Sequence, residues 1–151
     1  MLKEFVEQNH YKFIEKADTW QDAIRLSCQA LEADGTIDER YAQSIIECVN
    51  EYGPYIVIIP DVAMPHSTQG AVGVTRSAIS FMKVEQPVAF DENDREKDAV
   101  LFFTLAALDP DQHLENMQKL VELLSDDDVV AALKKAKSPE DLLEIQAKYI
   151  D

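Results

Sequence analysis

Two histidines stand where this sequence could support chemistry, because each follows an apolar segment typical of a buried strand. His66 ends the segment Ile56-Val-Ile-Ile-Pro-Asp-Val-Ala-Met-Pro-His66, and the small polar string Ser67-Thr-Gln-Gly70 follows it. Pro65 fixes its own φ and favours an extended residue before it, so a rigid support should deliver His66 to the base of a loop. An imidazole in such a place can act as a nucleophile, a proton acceptor or a metal ligand. A surface or purely structural histidine is the competing interpretation.

The second histidine, His113, lies at the start of a predicted helix. Residues 99–108, AVLFFTLAAL, form the most apolar run of the chain and predict a central strand buried on both faces. After this run, Asp109 is a candidate N-cap, Pro110 suits the first helical position and Gln112 completes a capping-box pattern. His113 is therefore expected in the first turn of a helix, where backbone N–H groups and partial positive charge suit an anion.

The two histidines would meet if the strands before them are parallel neighbours, because ligands bind at the carboxyl ends of such strands. A nucleophilic imidazole, a second imidazole as donor and a helix N-terminus favour phosphoryl transfer over hydrolysis. The chain has only four glycines and contains neither a P-loop nor a Ser–His–Asp ordering. A zinc site made of both histidines with Asp61, Asp109 or Asp111 is an alternative, although no H-E-x-x-H or Cys/His spacing supports it.

The elements that must position these residues alternate along the chain, which predicts one α/β domain over residues 1–151. Apolar periodicity and capping residues predict the helices, and apolar or alternating runs predict the strands. The helices are expected over residues 2–9, after the N-caps Thr19, Asp38 and Asp109, from Asp126 through Lys135, and from Ser138 onwards. The strands are expected over residues 12–16, 55–64, 77–84 and 99–108, with a solvent loop that contains Pro87 and the acidic residues 91–94.

The charge of the chain limits the partners that it can bind. There are 29 acidic and 14 basic residues, which give a formal net charge of −15. No run of Lys or Arg could follow a phosphate backbone, so nucleic acid is not expected as a partner. The acidic surface either steers a basic protein partner or serves only solubility, and the sequence leaves both interpretations open.

No targeting or membrane segment is predicted, so we expect a cytoplasmic protein. The first residues become acidic at once, unlike a signal peptide, and no apolar run approaches the ~20 residues that span a bilayer. Cys28 and Cys48 fit no C-x-x-C pattern, and each lies on the apolar side of a predicted helix. They are expected to be buried, reduced thiols.

The segment from Gly53 to His66, GPYIVIIPDVAMPH, resembles the active-site segment of a known family. This family comprises the enzyme IIA components of the bacterial phosphoenolpyruvate-dependent sugar phosphotransferase system (PTS), in the mannitol/fructose class called type 2. The Gly-Pro-Tyr and Ala-Met-Pro-His forms, together with Thr19-Trp-Gln-Asp-Ala23, are most similar to the ascorbate-specific branch. The resemblance extends from the helix after Thr19 to the terminal helix.

The resemblance implies a fold, an activity and partners. The fold would be a mixed β-sheet flanked by helices. His66 would accept phosphate from the phosphocarrier HPr as a tele-phosphohistidine and pass it to enzyme IIB, and through enzyme IIB to the membrane transporter IIC. His113 would help to hold the phosphoryl oxygens. No cofactor or metal is implied, and the substrate would be ascorbate or a related compound.

The sequence departs from the family pattern in two ways near the expected site. The family commonly has glycine after the active histidine, where this chain has Ser67. Mannitol-type members often carry an arginine in the helix before the active-site strand, where this chain reads Glu47-Cys48-Val49. Arg76 or a helix N-terminus could replace that arginine, or nothing does.

Two further points remain open at the level of sequence. Ala63 and Met64 could form part of the docking surface for HPr and enzyme IIB, or they could be core residues. The same phosphohistidine could serve a regulatory binding module instead of transport, and a metal-binding protein that uses both histidines is the less favoured alternative.

Overall fold

A computed structural model describes residues 1–151 as one α/β domain built on a five-stranded mixed sheet with the strand order β1-β4-β5-β3-β2. A 3₁₀ turn, Arg95–Lys97, precedes the central strand, and a π-helical turn, Gln146–Ile150, follows the last helix. The strands are β1 Tyr11–Ile14, β2 Val57–Ile59, β3 Asp61–Ala63, β4 Ala78–Ala89 and β5 Asp98–Ala106. The helices are α1 Leu2–Glu7, α2 Trp20–Ala33, α3 Glu39–Tyr52, α4 Pro110–Leu124, α5 Asp127–Lys135 and α6 Pro139–Ile145.

The central strand β5 has both kinds of neighbour. It runs antiparallel to β4 and parallel to β3, with Val62 opposite Leu101 and Ala63 opposite Phe102. The two strands that precede His66 and His113 are therefore parallel neighbours, which is the condition under which the sequence expects the two histidines to meet. Their carboxyl ends lie at the same edge of the sheet, so this arrangement brings the two histidines together.

The sheet is covered on both faces, which explains the almost continuous apolar sequence of β5. Phe102 packs on the face covered by α2 and α3. Its neighbour Phe103 packs on the opposite face, against α1, α4, α5 and α6. Side chains alternate between the faces of a strand, so a strand buried on both faces is mostly apolar, and the one buried polar residue here, Thr104, hydrogen-bonds Ser27.

Local capping sets where the helices begin. The side chains of Thr19, Asp38, Asp109, Asp126 and Ser138 each accept a hydrogen bond from a backbone N–H in the first turn of the helix that follows. Such caps satisfy the donors that every helix leaves free at its N-terminus. No helix is long and apolar enough to cross a membrane.

The segment that leads to His66 differs from the prediction of one interrupted buried strand. It forms two short antiparallel strands, β2 and β3, joined at Pro60. Asp61 adopts a φ of 74°, in the left-handed region, and this reverses the chain. β2 is the edge strand of the sheet, so Ile58 and Ile59 are exposed although they are strongly apolar.

Other expectations fail where tertiary packing overrides pattern. Pro87 lies within β4 and not in a loop, and a bulge between Lys83 and Val88 interrupts the pairing with β5 there. Bulges accommodate proline because the ladder already lacks a hydrogen bond. Apolar periodicity along the helices would also place some residues on inward faces that are exposed in the structure: Tyr52, Leu114, Val121 and Leu143.

Candidate active site

His66 follows the end of β3 on a segment that the neighbouring strands hold in place. The Leu105 N–H donates to the Pro65 carbonyl at 2.9 Å, and the Met64 N–H donates to the Ile56 carbonyl at 2.8 Å. Met64 and Pro65 are buried, whereas the His66 side chain is half-buried. The histidine therefore stands on a rigid base with its ring at the edge of the sheet.

The orientation of the His66 ring follows from one hydrogen bond. Nδ1 lies 2.7 Å from the backbone carbonyl of Met64. A carbonyl oxygen can only accept, so Nδ1 carries the proton and Nε2 keeps its lone pair. The nitrogen that remains free to react is Nε2, the tele nitrogen.

His113 enters the same site from the first turn of α4. The carboxylate of Asp109 caps this helix by accepting from the Gln112 N–H at 2.9 Å, and the His113 N–H donates to the Asp109 carbonyl at 3.1 Å. The ring centroids of His66 and His113 are 5.1 Å apart, with the rings tilted by 41°. The structure thus brings together the two histidines that the sequence singled out.

The environment keeps the His66 ring neutral. Burial lowers the pKa of His66 below its usual value, and the neighbouring His113 lowers it further, although the hydrogen bond to the Met64 carbonyl acts in the opposite direction. A neutral imidazole has a free lone pair, so the site favours the nucleophilic form of His66 at neutral pH.

Two tyrosines that sequence reasoning left without a role hold the backbone around His66. The Tyr55 hydroxyl donates to the His66 carbonyl, and its ring meets the imidazole edge-on at a centroid distance of 5.2 Å. The Tyr41 hydroxyl donates to the Leu105 carbonyl and accepts from the Ser67 N–H at 3.3 Å. Burial raises the pKa of both hydroxyls well above the usual value, so both remain protonated donors. The Gly53-Pro54-Tyr55 signature was the available sequence signal for Tyr55.

The loop after His66 is attached to α3. The Ser67 hydroxyl lies 2.6 Å from the Ser44 hydroxyl and accepts from the Gln69 N–H at 3.0 Å. The sulfur of Cys48 lies 3.4 Å from the Thr68 hydroxyl and 3.8 Å from the Ser67 hydroxyl. Ser67 thus takes part in a hydrogen-bond network with α3. The sequence showed only that a serine stands where the family commonly has glycine, and not that this serine has such partners.

The other charged residues that the sequence considered for the site have different partners. Arg76, considered as a substitute for the family arginine, hydrogen-bonds the Asp34 carbonyl at 2.9 Å and pairs with the Asp34 carboxylate at 3.3 Å. Asp61 pairs with Lys134 at 2.7 Å. Asp109 caps α4, and Asp111 is exposed on its first turn. No group of three or more His, Cys, Asp and Glu residues is arranged to hold a metal ion.

Four side chains that the sequence discussed are buried in the fold. Ala63 and Met64 are core residues, so they cannot form the apolar docking surface that was one of their two possible roles. Cys28 is buried on α2, and burial raises the pKa of its thiol to about 12. Cys28 and Cys48 are both free thiols, as predicted.

A family model described as "Phosphoenolpyruvate-dependent sugar phosphotransferase system, EIIA 2" matches residues 4–149. The chain belongs to this enzyme IIA family. It is therefore a phosphoryl-transfer component of a sugar phosphotransferase system, and the resemblance seen in the sequence is confirmed.

Relatives of this enzyme IIA include the ascorbate-specific PTS system EIIA component of Escherichia coli K12. The two are 30% identical over 131 residues, which are 86% of this chain and 84% of the relative. The solution structure of the mannitol-specific cryptic phosphotransferase enzyme IIA of Escherichia coli is 33% identical. The two structures superpose with a TM-score of 0.83, and the match covers 95% of this chain and 96% of the relative. These similarities confirm the predicted fold, a mixed sheet flanked by helices.

The fold also matches a chain in the Escherichia coli complex of enzyme IIAMtl and phosphorylated enzyme IIBMtl. That match has a TM-score of 0.77 and 24% identity, and it covers 91% of this chain and 94% of that chain. At this identity, the likeness concerns the fold alone.

Proposed function

We propose that this enzyme IIA accepts a phosphoryl group on Nε2 of His66 from the phosphocarrier HPr and passes it to enzyme IIB. The observation that carries the proposal is the hydrogen bond from Nδ1 of His66 to the Met64 carbonyl. It assigns the proton to Nδ1 and leaves Nε2 as the only nucleophilic atom of the ring.

The chemistry requires no separate base. The Nε2 lone pair attacks phosphorus while the bond from phosphorus to the nitrogen of the donor phosphohistidine breaks, and that nitrogen keeps the bonding electron pair. Nδ1 of His66 keeps its proton throughout. The Met64 carbonyl stabilises the positive charge that spreads over the ring when it is phosphorylated. Transfer to enzyme IIB repeats the displacement with His66 as the leaving group. A covalent intermediate of this kind divides one transfer into two steps.

His113 and the first turn of α4 are proposed to stabilise the transferred group. In phosphoryl transfer the charge is spread over three equatorial oxygens, so catalysis depends on positioning and on nearby donors. His113 is close enough to His66 to donate one hydrogen bond to such an oxygen. The N-terminus of α4 adds the partial positive charge that helices place at this end.

The partners are proposed from the family and from surface chemistry. A protein of the same fold forms a complex with a phosphorylated enzyme IIB, which supports enzyme IIB as the acceptor here. Leu108 and Leu114 flank His113 in the chain, and each exposes about half of its side chain, 46% and 58% respectively. Exposed leucines close to His113 in the sequence, on a chain of net charge −15, suit a partner with an apolar contact area and basic groups around it.

The proposed role is transport of ascorbate or a related substrate, in the cytoplasm. The ascorbate-specific relative supports this branch. The substrate class can be tested by supplying purified enzyme IIB from an ascorbate system and from a mannitol system. Faster transfer to the ascorbate enzyme IIB would support the assignment, and faster transfer to the mannitol enzyme IIB would overturn it.

The central experiment is labelling with phosphoenolpyruvate, enzyme I and HPr from the same organism. We expect one phosphate per chain, labile in acid and stable in base, and we expect His66→Ala to abolish it. His10→Gln is the control, because His10 is also a buried histidine but pairs with Asp34, away from this site. Labelling that persists in His66→Ala, or no labelling of the unmodified protein, would contradict the proposal.

A further inference from the structure

The segment that follows His66 is attached to α3 by side chains of that helix. Ser44 and Cys48 lie one turn apart on this helix, and both are buried. Ser44 contacts the Ser67 hydroxyl at 2.6 Å, and the Cys48 sulfur contacts the hydroxyls of Ser67 and Thr68. Two consecutive loop residues are therefore anchored on two helical residues that share one face.

The hydrogen bonds of Ser67 leave it no capacity for a phosphoryl oxygen. A serine hydroxyl has one proton to donate and two lone pairs to accept. One lone pair accepts from the Gln69 N–H, and the Ser44 hydroxyl and the Cys48 sulfur use the proton and the other lone pair. Ser67 can therefore act on the reaction only through the position of its backbone.

The Cys48 sulfur lies in an environment of donors. Burial alone would raise the pKa of its thiol, but hydrogen bonds, chiefly those with Thr68 and Ser67, outweigh burial and lower the pKa below the usual value. The Tyr55 hydroxyl donates to the His66 carbonyl. The sulfur thus belongs to a contact set that surrounds the backbone of residues 66–68.

We propose that Ser67 is a positioning residue for phosphoryl transfer, and that its bridge to Ser44 and Cys48 of α3 holds the loop so that Nε2 of His66 stays aligned with His113. This inference rests on the proposed role of His66 as the phosphoryl acceptor. It assigns a function to the serine that stands where the family commonly has glycine. It also means that hydroxyl groups of α3 hold the site in place, where mannitol-type members of the family often have an arginine.

The bridge should affect rate more than binding. Misplacement of a reacting group by about 1 Å can cost about 10²-fold in rate, because the reacting atoms leave the near-attack geometry. Ser67→Ala removes the bridge without touching the imidazole or the exposed surface. We expect about a tenfold fall in kcat for transfer from phosphorylated HPr, with KM for HPr unchanged.

Ser44→Ala separates positioning from direct contact. If Ser67 acts through the bridge, Ser44→Ala should also slow transfer, by no more than Ser67→Ala does, and the double variant should be no slower than Ser67→Ala, because Ser67→Ala already removes the bond to Ser44. If Ser67 instead contacts the phosphoryl group, only Ser67→Ala should slow transfer, and the proposal would be overturned.

Ser27→Ala is a matched control. Ser27 is a buried serine on α2 whose hydroxyl lies 3.1 Å from the Thr104 hydroxyl, far along the chain from the loop at residues 66–69. Loss of this hydroxyl removes a bond between a helix and the sheet that is more deeply buried than the bond between Ser44 and Ser67. We expect it to leave kcat unchanged even where it lowers the melting temperature.

A second measurement needs no partner protein. In ¹⁵N NMR spectra of the unphosphorylated protein, His66 should show the tautomer with the proton on Nδ1, and Ser67→Ala and Ser44→Ala should both increase the other tautomer or broaden the signals. Ser27→Ala should change neither. Unchanged His66 signals in both bridge variants would overturn the proposal. A failure of labelling with unaltered protein would instead count against His66 as the acceptor, so the two failures are distinguishable.

Discussion

The imidazole rings of His66 and His113 lie 5.1 Å apart, although one follows a three-residue strand and the other lies inside a helix. The parallel pairing of β3 with β5 produces this proximity, because it puts the carboxyl ends of both strands at one edge of the sheet. The ring orientation comes from the Met64 carbonyl, which holds Nδ1 and leaves Nε2 free. Topology thus supplies proximity, and one backbone hydrogen bond supplies the reactive nitrogen.

The first prediction concerns the dependence of stability on pH. The pKa of His66 is lower in the folded protein than its usual value, about 6.5, so just below pH 6.5 the unfolded chain binds a proton that the folded protein does not. The contribution of His66 to stability is therefore present above that pH and is lost as the pH falls toward the folded pKa. His66→Gln should lose less stability between pH 7.5 and pH 5.5 than the unmodified protein.

Urea denaturation at both pH values measures this difference. All other titrating groups are common to the two proteins, so the difference between their slopes isolates His66. Equal losses of unfolding free energy in the two proteins would mean that burial does not perturb this imidazole.

The second prediction concerns the turn before β3. Asp61 has a φ of 74°, and the left-handed region costs an ordinary residue ~1–2 kcal/mol but costs glycine little. Asp61→Gly should therefore be more stable than Asp61→Ala by about 1 kcal/mol. Both variants lose the ion pair with Lys134, which is partly exposed and worth ~0–1 kcal/mol.

Urea denaturation gives the free energies of unfolding, and Lys134→Ala measures the contribution of the ion pair separately. The turn prediction fails if the alanine variant is as stable as the glycine variant. A difference of the expected sign would show that backbone conformation at Asp61, and not its charge, shapes the hairpin that leads to His66.

The sequence predicted what local chemistry determines. Helix starts depend on one side chain and the next few backbone N–H groups, so Thr19 and Ser138 marked them correctly. The burial of β5 on both faces followed from its almost continuous apolar composition. The meeting of the two histidines followed from their equivalent places after two strands, once the strands were assumed to be parallel neighbours.

Features that depend on distant contacts escaped the sequence. Apolar Ile58 suggested burial, but β2 is an edge strand that no further element covers. Leu114 fits an apolar helical stripe and is nevertheless exposed. The positive φ of Asp61 belongs to the turn between β2 and β3. The contacts of Tyr41 and Ser67 arise only when α3 packs beside the loop after His66. Periodicity and composition do not reveal contacts between residues that are distant in the sequence.

The third prediction concerns salt. If the net charge of −15 steers a basic HPr, the bimolecular rate of phosphoryl transfer should fall as salt is added, because the Debye length shrinks from ~10 Å at 0.1 M to ~3 Å at 1 M. Single-turnover transfer from phosphorylated HPr, measured well below saturation, reports this rate. The first-order rate at saturating HPr is the internal control and should change little. A bimolecular rate that is flat across this range would assign the charge to solubility alone.

The fourth prediction separates the roles of the two histidines. His66 forms the bond to phosphorus, so His66→Ala should abolish labelling, whereas His113 has no bond to form and His113→Ala should still accept phosphate. Transfer onward to enzyme IIB should slow in His113→Ala by ~10²–10³, the usual effect of removing one positioned donor. His113→Gln keeps an N–H donor near the same place and should recover part of the loss.

Rapid-quench measurement of phosphate on each protein gives both half-reactions. Glu115→Gln, an exposed change on the same helix, is the matched control and should transfer at the unmodified rate. If His113→Ala abolishes labelling while His66→Ala does not, the roles are reversed, and if both label normally, this pair of rings is not the active site.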